Sequence, residues 1–180
     1  MTNVLIEKTV RNWVETVVIG LNLCPFAKKP LVKNSVRFIV SEADSEEKLL
    51  VDLWKEIEHI RDHPEMETTL LIHPMVLSDF SAFNDFLQLT DELLRQMDLE
   101  GVFQIASFHP DYQFEGTKSE DVENYTNRSP YPILHILREE SLDIAIDKYP
   151  DTDQIPPRNI KLMREMGTEK INELLRKCFS

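Results

Sequence analysis

The sequence predicts a single α/β domain over residues 1–180, with a small, mainly parallel sheet of three or more strands covered by helices. Three short strand-like runs begin at Val36, Thr69 and Val102, each 33 residues after the one before. An amphipathic helical pattern separates each run from the next, as in consecutive β-α units with parallel strands. With 42% apolar residues in 180, the chain is long enough for one core.

The helices follow from apolar side chains that recur every third or fourth residue. The first predicted helix covers residues 10–21, and Gly20 and Pro25 limit its length. A capping pattern at Asp44 and Ser45 opens a second helix, which ends near residue 62. A third helix is expected over residues 78–97.

The three strands are expected at residues 36–40, 69–72 and 102–108. Residues 109–131 follow with five carboxylates and little periodicity, which predicts a long polar loop. A further helix is expected from Pro132 to Ile146, then a proline-rich turn over residues 149–157 and an amphipathic segment over residues 160–175.

Composition limits the classes of function. The chain is acidic, with a net charge of −12, so nucleic acid is not an expected partner. No apolar run is long enough to cross a bilayer and no signal peptide is evident, so we expect no membrane partner and a cytoplasmic location. The two cysteines, Cys24 and Cys178, are too far apart in sequence to indicate a disulfide framework. The oligomeric state is left open.

No common cofactor motif is present. The sequence lacks a Walker loop, a dinucleotide-binding glycine motif and a nucleophile elbow, and it has four glycines in all. The identity of any cofactor or metal is therefore left open. A basic segment, residues 22–38, contains Lys28, Lys29, Lys33 and Arg37 and no carboxylate. It is either a solvated loop or an island that attracts a small anion.

The first candidate site consists of His73, His109 and Asp111. Each histidine follows a predicted strand and precedes a proline. Adjacent parallel strands would bring both rings to one sheet edge, where ligands bind in open α/β sheets. Two imidazoles and a carboxylate suit acid–base catalysis or a divalent metal. Alternatively, each ring caps its own strand by bonding a nearby carbonyl.

Cys24 is the second candidate, either as a nucleophile or as a soft metal ligand. It precedes a proline, and Lys28 and Lys29 nearby would lower the pKa of its thiol. Its neighbours Leu23 and Phe26 are apolar, however, and no resolving cysteine is close. The alternative is a small buried hydrophobic residue.

The third candidate is a set of ligand-binding residues in and after the polar loop. These are Tyr112, Asn124, Thr126, Asn127, Arg128 and His135. They precede or open the helix predicted from Pro132, and helix N-termini bind anions, so Arg128 would clamp a carboxylate or a phosphate. Asn and Ser are also ordinary helix-entry residues, and His135 either joins this site or packs against the core.

Several of these motifs are long enough to be specific. They are GLNLCPFA at 20–27, TLLIHP at 69–74, SFHPDYQFEGT at 107–117 and NYTNRSPYP at 124–132. In these segments the chain resembles the bacterial domain-of-unknown-function family 1415, and the resemblance covers nearly all of it. It implies that Cys24, His109 and residues 124–138 belong to the family pattern. It carries over no activity.

The leading hypothesis is a cytosolic enzyme that acts on a small anionic molecule. In it His109 and His73 are acid–base groups or metal ligands, Asp111 orients or ligates, Arg128 holds the anion and Cys24 serves as a nucleophile or ligand. Two hypotheses from other classes remain. One is a non-catalytic module that binds a ligand or a metal, and the other is an assembly subunit whose aromatic loop forms the interface.

Overall fold

A computed structural model describes residues 2–180. The helices are α1 (Asn3–Trp13), α2 (Lys28–Val32), α3 (Glu46–Asp62), α4 (Phe80–Gln96), α5 (Glu139–Asp147) and α6 (Ile155–Lys177). The strands are β1 (Val36–Val40), β2 (Thr68–Ile72), β3 (Phe103–Phe108) and β4 (Ile133–Arg138). A π-helical segment (Val14–Ile19) continues α1, and 3₁₀ turns lie at Val122–Thr126 and Thr152–Gln154. The α/β class predicted from the sequence is confirmed.

The strands form one open sheet in the order β1-β2-β4-β3. β1 and β2 pair in parallel, whereas β4 pairs antiparallel with both β2 and β3. The sheet is therefore mixed, and the expected mainly parallel arrangement is not confirmed. The first three strands do run in one direction, because β2 and β3 are both antiparallel to β4. The difference is that β4 lies between them.

The helix predicted from Pro132 to Ile146 is wrong over its first half. Ile133–Arg138 forms the strand β4, and α5 begins only at Glu139. Ile133, Leu134 and Ile136 are fully buried, because a central strand packs helices or loops on both of its faces. Such a strand is apolar at successive positions, and periodicity alone does not distinguish it from a buried helix.

The two faces of the sheet carry separate apolar cores. On one face, here called the α1 face, α1, the π-helical segment and α6 pack against Phe38, Leu70 and Ile72. On the other, the α4 face, α3 and α4 pack against Leu71 and Leu134. Side chains alternate between the faces along each strand, so the parity of a residue decides which core it joins.

The predicted helices over residues 44–62 and 78–97 are present as α3 and α4. Ser45 and Asp79 accept hydrogen bonds from the backbone N–H groups of Lys48 and Ala82, and thereby cap the two helices. α6 is interrupted at Gly167, whose φ of 74° lies outside the helical region. Across residues 2–180, no helix combines the length and apolar character that crossing a bilayer requires.

Candidate functional site

The strand-end histidines, His73 and His109, lie at the same edge of the sheet. Because β4 separates β2 from β3, their strands are about 10 Å apart, twice the spacing expected of neighbours. Both rings turn to the α4 face and pack on Phe83, with ring centroids 5.6 Å and 5.1 Å from it. Both side chains are fully buried. The sequence prediction that the two rings share one edge therefore agrees with the strand directions.

His109 uses both ring nitrogens to hold backbone groups. The N–H of Asp111 donates to Nδ1 (3.0 Å), so Nδ1 carries no proton and Nε2–H donates to the carbonyl of Leu77 (3.1 Å). Burial lowers the pKa of His109 below its ordinary value. The ring is thus a neutral bridge between the segment after β2 and the segment after β3, with no nitrogen left for a substrate.

His73 has one bonded and one unbonded nitrogen. Nδ1–H donates to the carbonyl of Val76 (3.0 Å), while Nε2 is buried and has no hydrogen-bond partner among residues 2–180. Burial lowers the pKa of His73 to about 4, so the ring is neutral at pH 7. No side chain of the described residues brings a carboxylate to this nitrogen.

Asp111 is exposed and bonds His109 through its backbone rather than through its carboxylate. Within residues 2–180, no three side chains of His, Cys, Asp or Glu come together in a way that would hold a metal. The strand-end histidines therefore form a buried polar and aromatic cluster that fixes two loops.

The predicted ligand-binding residues of the polar loop bind the loop itself. Asn124 is fully buried. Its Oδ1 accepts from the N–H of Phe114 and the hydroxyl of Thr117. Its Nδ2 donates to the backbone carbonyl of Lys118. Thr126 donates to the carbonyl of Glu123. These bonds replace the regular structure that the loop lacks.

Arg128 and its neighbours complete this internal network. The Arg128 guanidinium donates to the carbonyls of Tyr112 (3.2 Å) and Ser119 (2.7 Å) and lies 4.4 Å above the Tyr125 ring. Asn127 donates to the carbonyl of Ser107 at the end of β3. The Arg128 guanidinium therefore stabilises the loop by binding its carbonyl groups. The helix N-terminus that was expected next to it is absent, because Ile133–Arg138 forms β4.

A cavity of about 490 Å³ opens on the α1 face of the sheet. It lies between β2, β4 and β3 on one side and α1, the loop before α2, and α5 on the other. Its wall is mainly apolar and includes Trp13, Val18, Phe26, Leu70, Phe108 and Leu142. Two other depressions, on α6 and beside α3, have no histidine or cysteine in their lining. This cavity is the only one of the three that combines apolar walls with such groups.

Cys24 lines the cavity from the loop that follows the π-helical segment. Gly20 directly follows that segment, and an added Cβ there would clash with the backbone oxygen of Thr16, so only glycine fits. Asn159 of α6 then holds the loop by donating to the carbonyl of Leu23 (2.8 Å). Loop geometry therefore turns the Cys24 side chain toward the sheet.

The Cys24 thiol is neutral at pH 7. Burial raises its pKa, and the backbone N–H groups of Phe26 and Ala27 oppose this only in part. The pKa is therefore raised and not lowered as expected from Lys28 and Lys29, whose ammonium groups are exposed to solvent.

His135 lines the same cavity from the centre of β4. The Thr68 hydroxyl donates to the carbonyl of Ile136 (2.7 Å), so its single proton is used and His135 Nε2–H donates to Thr68 Oγ1 (2.6 Å). Nδ1 is then an unprotonated acceptor. Burial lowers the pKa of His135 to about 4. The ring belongs to the cavity wall and not to the polar loop.

Trp13 also lines the cavity, but its indole nitrogen is not accessible from it. Its indole N–H is buried and has no hydrogen-bond partner among residues 2–180, and its ring packs edge-on against Phe108. Sequence periodicity places Trp13 correctly on the buried side of the first helix. It does not distinguish a core tryptophan from one that borders a cavity, because both are apolar positions at helical spacing.

The structure thus divides the predicted site residues between the two faces. His73 and His109 share the α4 face with Phe83, whereas Cys24 and His135 share the cavity on the α1 face. The part of the cavity wall that α5 forms has no signal in the sequence, because the position of α5 depends on β4 ending at Arg138.

The fold and the cavity define a mixed-sheet α/β protein with one mainly apolar pocket beside the central strand. The chain belongs to the family described as protein of unknown function (DUF1415), whose model matches residues 5–173. No curated protein and no solved structure matches the chain.

Proposed function

We propose that this protein binds a small molecule with a largely apolar body in the cavity on the α1 face. The observation that carries the proposal is the cavity itself: about 490 Å³ in volume, with mainly apolar walls. Ligand pockets of proteins typically measure about 300–1,000 Å³ and combine apolar walls with a few polar groups.

Two such polar groups are available in the wall. The Cys24 thiol is a donor, and His135 Nδ1 is an acceptor. Both titratable groups are neutral at pH 7, because burial raises the thiol pKa and lowers the imidazole pKa. The inner part of the cavity therefore suits an uncharged portion of a ligand that carries hydrogen-bonding atoms.

A neutral fluorescent probe tests this proposal. N-phenyl-naphthylamine fluoresces strongly only in an apolar environment, and we expect saturable binding to the wild-type protein. Ala106 lines the cavity from β3, so Ala106→Phe should fill it and weaken binding at least tenfold. Ile105→Phe is the matched control, because residue 105 turns to the opposite face of the same strand.

Thermal unfolding of both variants shows whether the fold survives. Absence of saturable binding to the wild type would contradict the proposal. So would equal binding by a folded Ala106→Phe variant.

A second candidate function is an enzyme that acts on a small anionic molecule, as the sequence suggested. The observation that favours it is the presence of a thiol and an imidazole, Cys24 and His135, in one cavity. Of the other residues in that hypothesis, His109 has both nitrogens bonded and Arg128 holds loop carbonyls. In this proposal the enzyme is a single domain and is located in the cytoplasm.

The assembly hypothesis has weaker support. Tyr125 is buried in the core of the α1 face, and Tyr112 packs against the rings of Phe80 and Phe114. These aromatic side chains are used within the chain and offer little apolar surface to another subunit.

A further inference from the structure

Charge at the mouth of the cavity carries a second inference, which rests on the proposed function. Four charged residues line the cavity: Lys29, Glu67, Arg138 and Lys148. Two of them already have partners. Glu67 pairs with Lys33 at 3.5 Å. Arg138 Nη2 donates to the carbonyls of Ile60, His63 and Met66, in and after α3, while its Nε–H is buried without a partner among residues 2–180.

Lys29 and Lys148 have no ion-pair partner among residues 2–180. Within the described residues, five of the eleven lysines are in ion pairs, and the exposed Lys28, Lys118 and Lys170 are also in none. Lys29 and Lys148 differ from these because both line the cavity. The two ammonium groups make the lining net positive within an acidic protein.

The two lysines come from segments that meet at one end of the cavity. The rings of Phe26 and Tyr149 contact edge-on at 5.5 Å. Lys29 follows Phe26 by three residues, and Lys148 directly precedes Tyr149. This contact joins the start of α2 to the end of α5, so the lysines flank the same opening.

The same opening has a neutral donor. The Tyr149 hydroxyl accepts from Arg158 Nη1 (3.5 Å), which leaves its own proton available. The rim therefore has two ammonium groups and a phenol, and the walls below it are apolar with two neutral polar atoms. This arrangement complements a molecule with an anionic head and an apolar body.

We propose that the ligand is an amphiphile whose single anionic group, of the carboxylate type, binds between Lys29 and Lys148. Its apolar body extends past Phe26 toward Trp13 and Phe108. The cavity volume suits an apolar body of moderate size, and the charge complements the unpaired lysines. Cations of equal length are disfavoured at this rim.

Displacement of N-phenyl-naphthylamine by octanoate, octanol and octylamine tests this assignment, because the three differ only in the head group. At low ionic strength we expect octanoate to displace the probe at about tenfold lower concentration than octanol, and octylamine to be the weakest. Added salt should reduce this preference.

The variant Lys29→Gln/Lys148→Gln removes both charges and should abolish the preference, and saturable binding of the neutral probe to it shows that the cavity persists. Lys29→Arg/Lys148→Arg should retain it. Lys118→Gln/Lys170→Gln is the matched control, because these exposed lysines lie outside the cavity lining.

The outcomes separate the two proposals. Equal displacement by octanoate and octanol, or a preference that survives Lys29→Gln/Lys148→Gln, would overturn the anionic head group while the cavity still binds the probe. Failure of the probe and of all three ligands to bind would overturn the proposed function together with this inference.

Discussion

His109 and His135 lie on opposite faces of the sheet and differ in how their ring nitrogens are used. On the α4 face, His109 has both nitrogens bonded to backbone groups, and the ring is enclosed by Phe80 and Phe83. On the α1 face, His135 has one nitrogen bonded to Thr68 and presents the other beside a cavity. His73 on the α4 face also has a free nitrogen, but that nitrogen is buried, so His135 differs from both by the open volume beside it.

The largest effect that separates the faces is on stability. Replacing His109 by alanine removes a fully buried ring and leaves the Asp111 N–H and the Leu77 carbonyl without partners. We expect a loss of about 3–4 kcal/mol in the free energy of unfolding, measured in urea. Asp111→Ala, at an exposed carboxylate, should cost less than about 0.5 kcal/mol. If both variants lost equally little free energy of unfolding, the structural role assigned to His109 would be wrong.

Acid should destabilise the protein through its neutral buried histidines. The pKa of His73 is about 4 in the folded protein against an ordinary value of 6.5, so the unfolded chain binds a proton first as pH falls. Stability is fully present above pH 6.5 and is lost toward pH 4, by about 2–3 kcal/mol for His73 between pH 7 and 4.5. His73→Asn keeps a donor for the Val76 carbonyl and should flatten this dependence in urea titrations.

The position of the cavity loop should depend on Gly20. In Gly20→Ala the new Cβ would meet the Thr16 carbonyl oxygen, a backbone atom that cannot move alone. We expect a loss of about 2 kcal/mol, with weaker binding of N-phenyl-naphthylamine because the Cys24 loop shifts. Glu15→Ala, exposed in the same segment, should leave both quantities unchanged. Unchanged probe binding by Gly20→Ala would show that the cavity does not depend on the position of this loop.

The smallest expected effect concerns the reactivity of Cys24. Because burial raises its pKa, alkylation by iodoacetamide at pH 7.5 should be several-fold slower than that of free cysteine. Octanoate in the cavity should slow it further. Mass spectrometry distinguishes Cys24 from the buried Cys178. Alkylation faster than that of free cysteine would favour the catalytic alternative over simple binding.

The amphipathic helices α3 and α4 and the strand β2 could be predicted from the sequence. The helices appear where periodicity and capping residues indicate them, and β2 appears at a short apolar run although it is buried on both faces. β4 could not, because Ile133, Ile136 and Leu137 also recur at helical spacing, and its place in the sheet depends on long-range pairing. This one strand separates His73 from His109 and moves His135 from the polar loop to the cavity.

Only part of the candidate site could be predicted from the sequence. Cys24 and His135 could be named as titratable groups, but their meeting in one cavity depends on the path of the loop after Gly20 and on β4. Trp13 is an ordinary apolar helix position in the sequence, and Lys148 is a charged residue just after a predicted helix. Their place in one cavity lining depends on how α1 and α5 pack on the sheet, which no local pattern encodes.

The most direct test of the central claim is a ¹H–¹⁵N correlation spectrum of the protein titrated with octanoate. If the cavity on the α1 face is the binding site, the backbone amides of Cys24, Ala106, His135 and Tyr149 should shift in a saturable way. Those of Phe83 and His109 on the α4 face should stay unchanged. Saturable shifts confined to Phe83, His109 and the polar loop would contradict binding in this cavity and would indicate a site at the strand-end histidines.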